Sequence, residues 1–113
     1  MAGAGAKPFV DKKLAQRKVL LFSKTTSPAC KTVKEILDGY GLKFPKYESV
    51  EIECRQDCNQ IENYFQILCL TDRREVPQLF LDGKYIGGEM EIIRMHESGD
   101  LGKKLVSAGA LKN

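Results

Sequence analysis

The feature that most constrains this chain is Val19-Leu20-Leu21-Phe22, an unbroken apolar run that leads through Ser23-Lys24-Thr25-Thr26 into Ser27-Pro28. A strand with one wet face alternates apolar and polar residues. An unbroken run fits a strand buried on both faces, as at the centre of a helix-covered sheet. The next segment reads as a helix start. Ser27 can cap, Pro28 suits the first helical position, and Ala29, Val33, Ile36, Leu37 and Tyr40 recur at helical spacing. Gly39 and Gly41 close that helix.

Further elements lie on either side. Residues 1–6 alternate Gly and Ala and read as a flexible leader, leaving 7–113 as one domain. Pro8 opens a short helical pattern through Phe9, Val10 and Leu14. Val50 and Ile52, alternating with Glu51 and Glu53, mark a second strand. Asp57 and Gln60 resemble a capping box before a helix that buries Ile61, Tyr64, Phe65 and Leu68. After a charged loop, Thr71 to Glu75, come strands over Gln78 to Leu81 and Lys84 to Ile86, joined by Asp82-Gly83, a strong hairpin signal. Ile92, Ile93 and Met95 suggest a helix to about Glu97. Asp100 can cap a last helix that packs Leu101, Leu105 and Val106 and stops near Gly109. A strand–helix–strand crossover plus a hairpin predicts an α/β fold, a four-stranded mixed sheet with helices on both faces.

Composition narrows the function. Eighteen Lys and Arg against 15 Asp and Glu leave a net charge of +3, spread without a basic stripe, so no nucleic acid partner is expected. No apolar run approaches the ~20 residues of a membrane span, and none resembles a signal-peptide core. No membrane association is expected, and the cytoplasm is the expected compartment. The 4 cysteines, at 30, 54, 58 and 69, form no Cys-x-x-Cys pair and have one distant histidine, His96, so no metal site is expected. Free thiols in a reducing compartment fit better than a disulfide scaffold.

Ser27-Pro28-Ala29-Cys30 lies where a strand passes into a helix. Unpaired N–H groups and the positive end of the helix dipole stabilise an anion there and lower a cysteine's pKa. The cap position, residue 27, gains most; residue 30 lies one turn inside. A serine hydroxyl is a poor nucleophile without an adjacent base. Taken alone, Ser27 is a helix cap and Cys30 a small buried side chain. A second constellation lies downstream. Pro77 at a strand start cannot donate to the ladder, and a cis Val76–Pro77 bond would turn the Val76 backbone toward an extended peptide. Gly87-Gly88 at a helix start can bring N–H groups close to a carboxylate.

Together, Phe22-Ser23-Lys24-Thr25-Thr26-Ser27-Pro28-Ala29-Cys30 and Val76-Pro77-Gln78-Leu79-Phe80-Leu81-Asp82-Gly83-Lys84-Tyr85-Ile86-Gly87-Gly88 resemble a glutaredoxin, from about Pro8 to the Gly109-Ala110-Leu111 close. The resemblance implies a thioredoxin-like fold and a glutathione-dependent thiol–disulfide oxidoreductase acting on protein–glutathione mixed disulfides and protein disulfides. It implies a monomer with glutathione as co-substrate, no tightly bound cofactor, and glutathionylated or disulfide-containing proteins as partners. Ser27 takes the place of the nucleophilic cysteine in the family's Cys-Pro-x-Cys motif, and Cys30 that of the resolving cysteine. Lys24 matches a lysine that contacts a glutathione carboxylate. Val76 and Pro77 match the segment that pairs with its cysteinyl backbone. Gly88 and the residues after it match the helix start that receives its γ-glutamyl end.

The departures from the pattern bear on function. Glu75 replaces a threonine and Ala29 an aromatic. Glu89-Met90-Glu91 stands where Cys-Ser-Asp is common; Met90 brings no hydroxyl, while Glu91 keeps a carboxylate for the glutathione ammonium. Glu62 falls where a glutamine or arginine often meets the glycine carboxylate, which an acid would repel. Ser27 fits an inactivated Cys-to-Ser form, favoured by the surrounding motifs, or a natural serine in a non-catalytic glutathione- or protein-binding module. A glutathione-ligated iron–sulfur carrier is the other alternative. Elsewhere, Cys69 reads as packing, Cys54 and Cys58 as unrelated thiols in preference to a regulatory disulfide, Tyr64 and Phe65 as core, Arg73-Arg74 as a solvated pair, and His96 as surface.

Overall fold

The computed structural model describes residues 6–53, 55–56, 58–69 and 76–111, with the side chains of residues 6 and 65–69 left aside. The elements run α1 (Ala6–Gln16), β1 (Val19–Ser23), α2 (Pro28–Gly39), β2 (Tyr47–Glu51), α3 (Cys58–Cys69), β3 (Gln78–Leu81), β4 (Lys84–Gly87), α4 (Glu89–Ser98) and α5 (Asp100–Ser107). This is the predicted order. The strands form one sheet in the order β2-β1-β3-β4, with β1 and β2 parallel and the other two pairs antiparallel.

Every residue of β1 is buried, as an apolar strand between two helical layers requires. Val19 and Leu21 join Val33, Leu37, Leu79, Ile92, Leu101 and Leu105 in the core on one face, beneath α2, α4 and α5. Leu20 and Phe22 point the other way, to Val10, Ile52, Ile61 and Phe80, beneath α1 and α3. Each fully buried Leu, Ile or Phe contributes about 1.5–3 kcal/mol of transfer free energy. Edge-to-face packing of Phe22 on Phe80, with centroids 5.9 Å apart, locks the second core to the central strands. On its outer side, α1 is tied to β2 by Lys13 and Arg17, which both reach Glu48, at 3.0 and 2.7 Å.

The β3–β4 turn agrees with the sequence expectation. Asp82 and Gly83 both take positive φ, 52° and 79°, the backbone that a two-residue hairpin needs. Several boundaries differ. The expected leader loses Ala6, which opens α1, so Pro8 sits at the third helical position instead of the first. β2 starts at Tyr47 and ends at Glu51, earlier than the Val50/Ile52 alternation suggests. Its register, Val19 against Tyr47 through Ser23 against Glu51, is set by pairing with β1. β4 runs one residue further, to Gly87. Gly99 in the left-handed region, with φ 86°, is the cap of α5, and Asp100 is its first residue. In α2, Cys30 is buried as expected, while Ala29 and Ile36 are half-buried beside fully buried Val33 and Leu37. Asp57, the loop 71–75 with Arg73-Arg74, Cys54, and the side chains of Phe65, Leu68 and Cys69 lie outside the described residues. No described helix is long and apolar enough to cross a membrane.

Candidate active site

Four strand ends meet at one end of the sheet. β1 and β2 run parallel and both finish there, at Ser23 and Glu51. β3 begins there, since it runs antiparallel with Phe22 against Gln78, and β4 finishes there at Gly87. The segments at these ends carry Lys24 to Ser27, Glu53, Val76-Pro77 and Gly88, and α3 starts just beyond β2. Topology thus gathers residues far apart in the chain.

Ser27 is the N-cap of α2. Its extended backbone, φ −91° and ψ 121°, lets Oγ accept the Cys30 N–H at 3.3 Å. The side chain is half-buried, and α2 has no acid in its first turn, so no carboxylate of the helix itself answers its positive end. Cys30 is fully buried, as expected of the inner position, and its Sγ accepts the Lys24 N–H at 3.4 Å. A half-buried outer hydroxyl and a buried inner thiol therefore share the start of the same helix.

Lys24 is engaged within the chain. Its Nζ donates to Glu62 Oε2 at 3.1 Å, and the Glu62 side chain is only 10% exposed. This hydrogen bond, together with the charge of Glu62, outweighs burial and holds the Lys24 pKa above its ordinary value. Two residues that sequence reasoning placed separately at the glutathione site are thus in contact with each other. Cys58, half-buried, donates from its thiol to Glu62 Oε1 at 4.0 Å.

Glu53 is a site residue that sequence reasoning missed. Oε1 accepts the Thr25 N–H at 2.8 Å and also the Thr25 hydroxyl, pinning the loop between β1 and α2. These hydrogen bonds, the hydroxyl's first, lower the Glu53 pKa. Beneath the loop, buried Ser23 donates to Glu51 Oε2 at 2.7 Å, and Glu51 also receives Lys34 from α2. An acid read as the outer half of a strand alternation carries no local sign of such a role.

On the other side, the Val76–Pro77 bond is cis, as expected; Pro77 is buried and Val76 half-buried. Gly88 is the N-cap of α4, and its N–H donates to Glu91 Oε1 at 2.9 Å. The Gly88 N–H expected to receive a ligand carboxylate is thus engaged by the chain's own. Glu91 is half-buried, while Met90 is 57% exposed. Gly87 has φ 155°, and a Cβ there would lie 2.4 Å from the Cβ of Glu91. Only glycine lets the strand turn this closely under the α4 cap.

The glutaredoxin family model matches residues 19–86, from the first residue of β1 almost to the end of β4. The chain belongs to the glutaredoxin family. It is 37% identical over 107 residues to glutaredoxin-1 of Sus scrofa, covering 95% of this chain and 99% of that protein. Glutaredoxin-1 of Homo sapiens is 36% identical over the same length, with the same coverage of this chain and 99% of its own. Among solved structures, oxidised glutaredoxin 2 from Chlamydomonas reinhardtii superposes with a TM-score of 0.83 at 36% identity, covering 98% of this chain and 100% of that one. A buckwheat glutaredoxin–glutathione complex matches with TM-score 0.83, 28% identity, and coverage of 97% and 96%. The thioredoxin-like glutaredoxin fold expected from the motifs is the fold observed. In glutaredoxin terms, the helix start at Ser27, the inner Cys30, Lys24 and the α4 cap all occupy one end of one sheet.

Proposed function

We propose that this glutaredoxin site serves glutathione-dependent thiol–disulfide exchange, with position 27 as the attacking position, and that serine there leaves binding without turnover. The observation that carries this reading is the α2 start, where a half-buried side chain receives a helix N–H in front of a fully buried thiol. A thiolate at 27 would attack the glutathione sulfur of a protein–glutathione mixed disulfide. That S–S bond breaks, the protein sulfur leaves as a thiolate and takes up a proton, and glutathione stays joined to position 27. A second glutathione thiolate then attacks the sulfur of the bound glutathione, giving oxidised glutathione and the thiolate at 27 again. With a protein disulfide, the thiolate at 27 would first displace one protein sulfur as a thiolate. Cys30, giving up its proton, would then attack the sulfur at 27, expelling the second protein thiolate and closing a 27–30 disulfide. Two glutathione thiols reduce that disulfide, giving oxidised glutathione. Rates depend on thiolate fraction and leaving-group pKa.

Among the described residues no base is hydrogen-bonded to the Ser27 hydroxyl, and an alcohol nucleophile needs one. Val76, Pro77, Gly88, Met90 and Glu91 border the groove in which glutathione lies, with Glu91 facing its ammonium. The partners in this reading are glutathione and glutathionylated proteins, met by a monomer in a reducing compartment such as the cytoplasm. The reading is tested by reduction of a glutathionylated substrate with the Ser27 chain and with Ser27→Cys. The first is expected at background and the second well above it. No gain in a folded Ser27→Cys protein overturns the reading.

A further inference from the structure

A second groove, of about 950 Å³, starts at the β3–β4 hairpin, at the opposite end of the sheet from Ser27. One wall is β4, which ends the sheet, with Lys84 and Ile86 on the same side of the strand. The other wall is α5. Asp100, Lys103, Lys104 and Ser107 line it at the spacing of a single helix face, while Leu101 and Leu105 turn into the core. Leu81, Ile86, Met95 and Ala108 give the groove an apolar floor that rests on the same core. Its rim is cationic. Lys18 already meets Asp82 at 3.8 Å, which leaves Lys84, Lys103 and Lys104 against Asp100. These three lysines are exposed, and among the described residues none has an acid as ion-pair partner. From Asp100 to Ser107 the helix rises about 10 Å, at about 1.5 Å per residue. An extended chain rises about 3.3 Å per residue, so about four residues lie along this wall. A nucleic acid needs a longer basic track than three lysines.

We propose that this groove docks a short, extended, acidic segment of a partner protein. An apolar side chain of the segment rests on the floor, and carboxylates on either side of it meet Lys84 across from Lys103 and Lys104. Burial of the apolar side chain supplies affinity, and the lysines select the charge. The segment leaves Ser27 uncovered, because the hairpin and Ser27 lie at opposite ends of the sheet. The proposal therefore stands apart from the glutathione reading and needs no turnover at position 27.

Amide NMR titration of the full chain tests it, with the end-capped peptide Asp-Glu-Leu-Glu-Asp as probe and Asn-Gln-Leu-Gln-Asn as its neutral counterpart. Shifts are expected along β4 and α5, and the neutral peptide should bind about tenfold more weakly or worse. Lys103→Glu with Lys104→Glu should weaken the acidic peptide about tenfold or more. Both side chains are exposed, and the amide spectrum itself shows whether the variant is folded. Lys12→Glu with Lys43→Glu changes the net charge equally at exposed positions outside the groove, and should alter binding by about twofold at most. Equal binding of the two peptides, equal weakening by the two double variants, or shifts centred away from β4 and α5 would each overturn the proposal. Absence of binding at about 5 mM peptide, where a Kd of about 1 mM gives clear occupancy, would overturn it as well.

Discussion

Two helices begin at the candidate site, and they begin differently. α2 starts at Ser27 with no acid in its first turn, and its cap is a hydroxyl 3.3 Å from the Cys30 N–H. α4 starts at Gly88 with Glu89 and Glu91 in its first turn, and Glu91 closes on the Gly88 N–H at 2.9 Å. The same backbone dipole thus lacks an acid of its own helix in one case and has one in the other. The open end can stabilise a reactive anion. The closed end instead presents a carboxylate, suited to a cation.

Breaking the closed end should have the largest effect on stability. Gly87→Ala puts a methyl 2.4 Å from the Glu91 Cβ at a φ that suits glycine. A loss of about 2–4 kcal/mol in urea unfolding is expected, and a loss below about 1 kcal/mol would show that the cap gives way freely. Making the open end resemble the closed one should come next. Ala29→Asp in the Ser27→Cys background puts an acid into the first turn of α2. The helix should hold or gain stability, while the repelled thiolate slows alkylation at neutral pH about tenfold. Glu91→Ala removes the α4 cap alone, with an expected cost of about 1 kcal/mol in the same unfolding experiment.

Much of this arrangement was legible in the sequence, for local reasons. An apolar run, a Ser-Pro helix start and an Asp-Gly turn each encode their backbone within a few residues, and β1, α2 and the hairpin fall where they point. Features that depend on distant partners were not legible. β2 buries Tyr47 and Val50 with two half-buried residues between, so period-two reasoning misplaced its start; pairing with β1 decides it. The Lys24–Glu62 pair spans 38 positions and Thr25–Glu53 spans 28, separations at which spacing says nothing about contact. Acids near a phosphate- or carboxylate-binding motif read as repulsive, and only the fold shows what they already hold. His96 is on the surface as expected, yet its Nδ1 lies 2.9 Å from the Tyr40 hydroxyl, a link between α4 and the end of α2 with no sequence signature.

The smallest expected effect concerns the loop that leads into the open helix. Glu53 is held below its ordinary 4.5 by hydrogen bonds from Thr25. A lowered folded pKa means that this contact adds stability above about pH 4.5 and loses it as pH falls through the lower folded value. The Thr25 amide shift, monitored by NMR, should therefore titrate with a midpoint below 4.5, and Glu53→Gln should abolish that titration. A midpoint at or above 4.5 would show that Glu53 does not pin the loop.

The central claim is that the α2 start stabilises an anion at position 27. The most direct test is the ultraviolet absorbance of the thiolate in Ser27→Cys as a function of pH, with Cys54, Cys58 and Cys69 replaced by serine. Two thiols then remain, the introduced one and buried Cys30. The account predicts a first titration at least ~2 units below the unperturbed ~8.5, removed when the introduced thiol is alkylated. A single ionisation near or above ~8.5 would contradict it, and would leave Ser27 as a helix cap and nothing more.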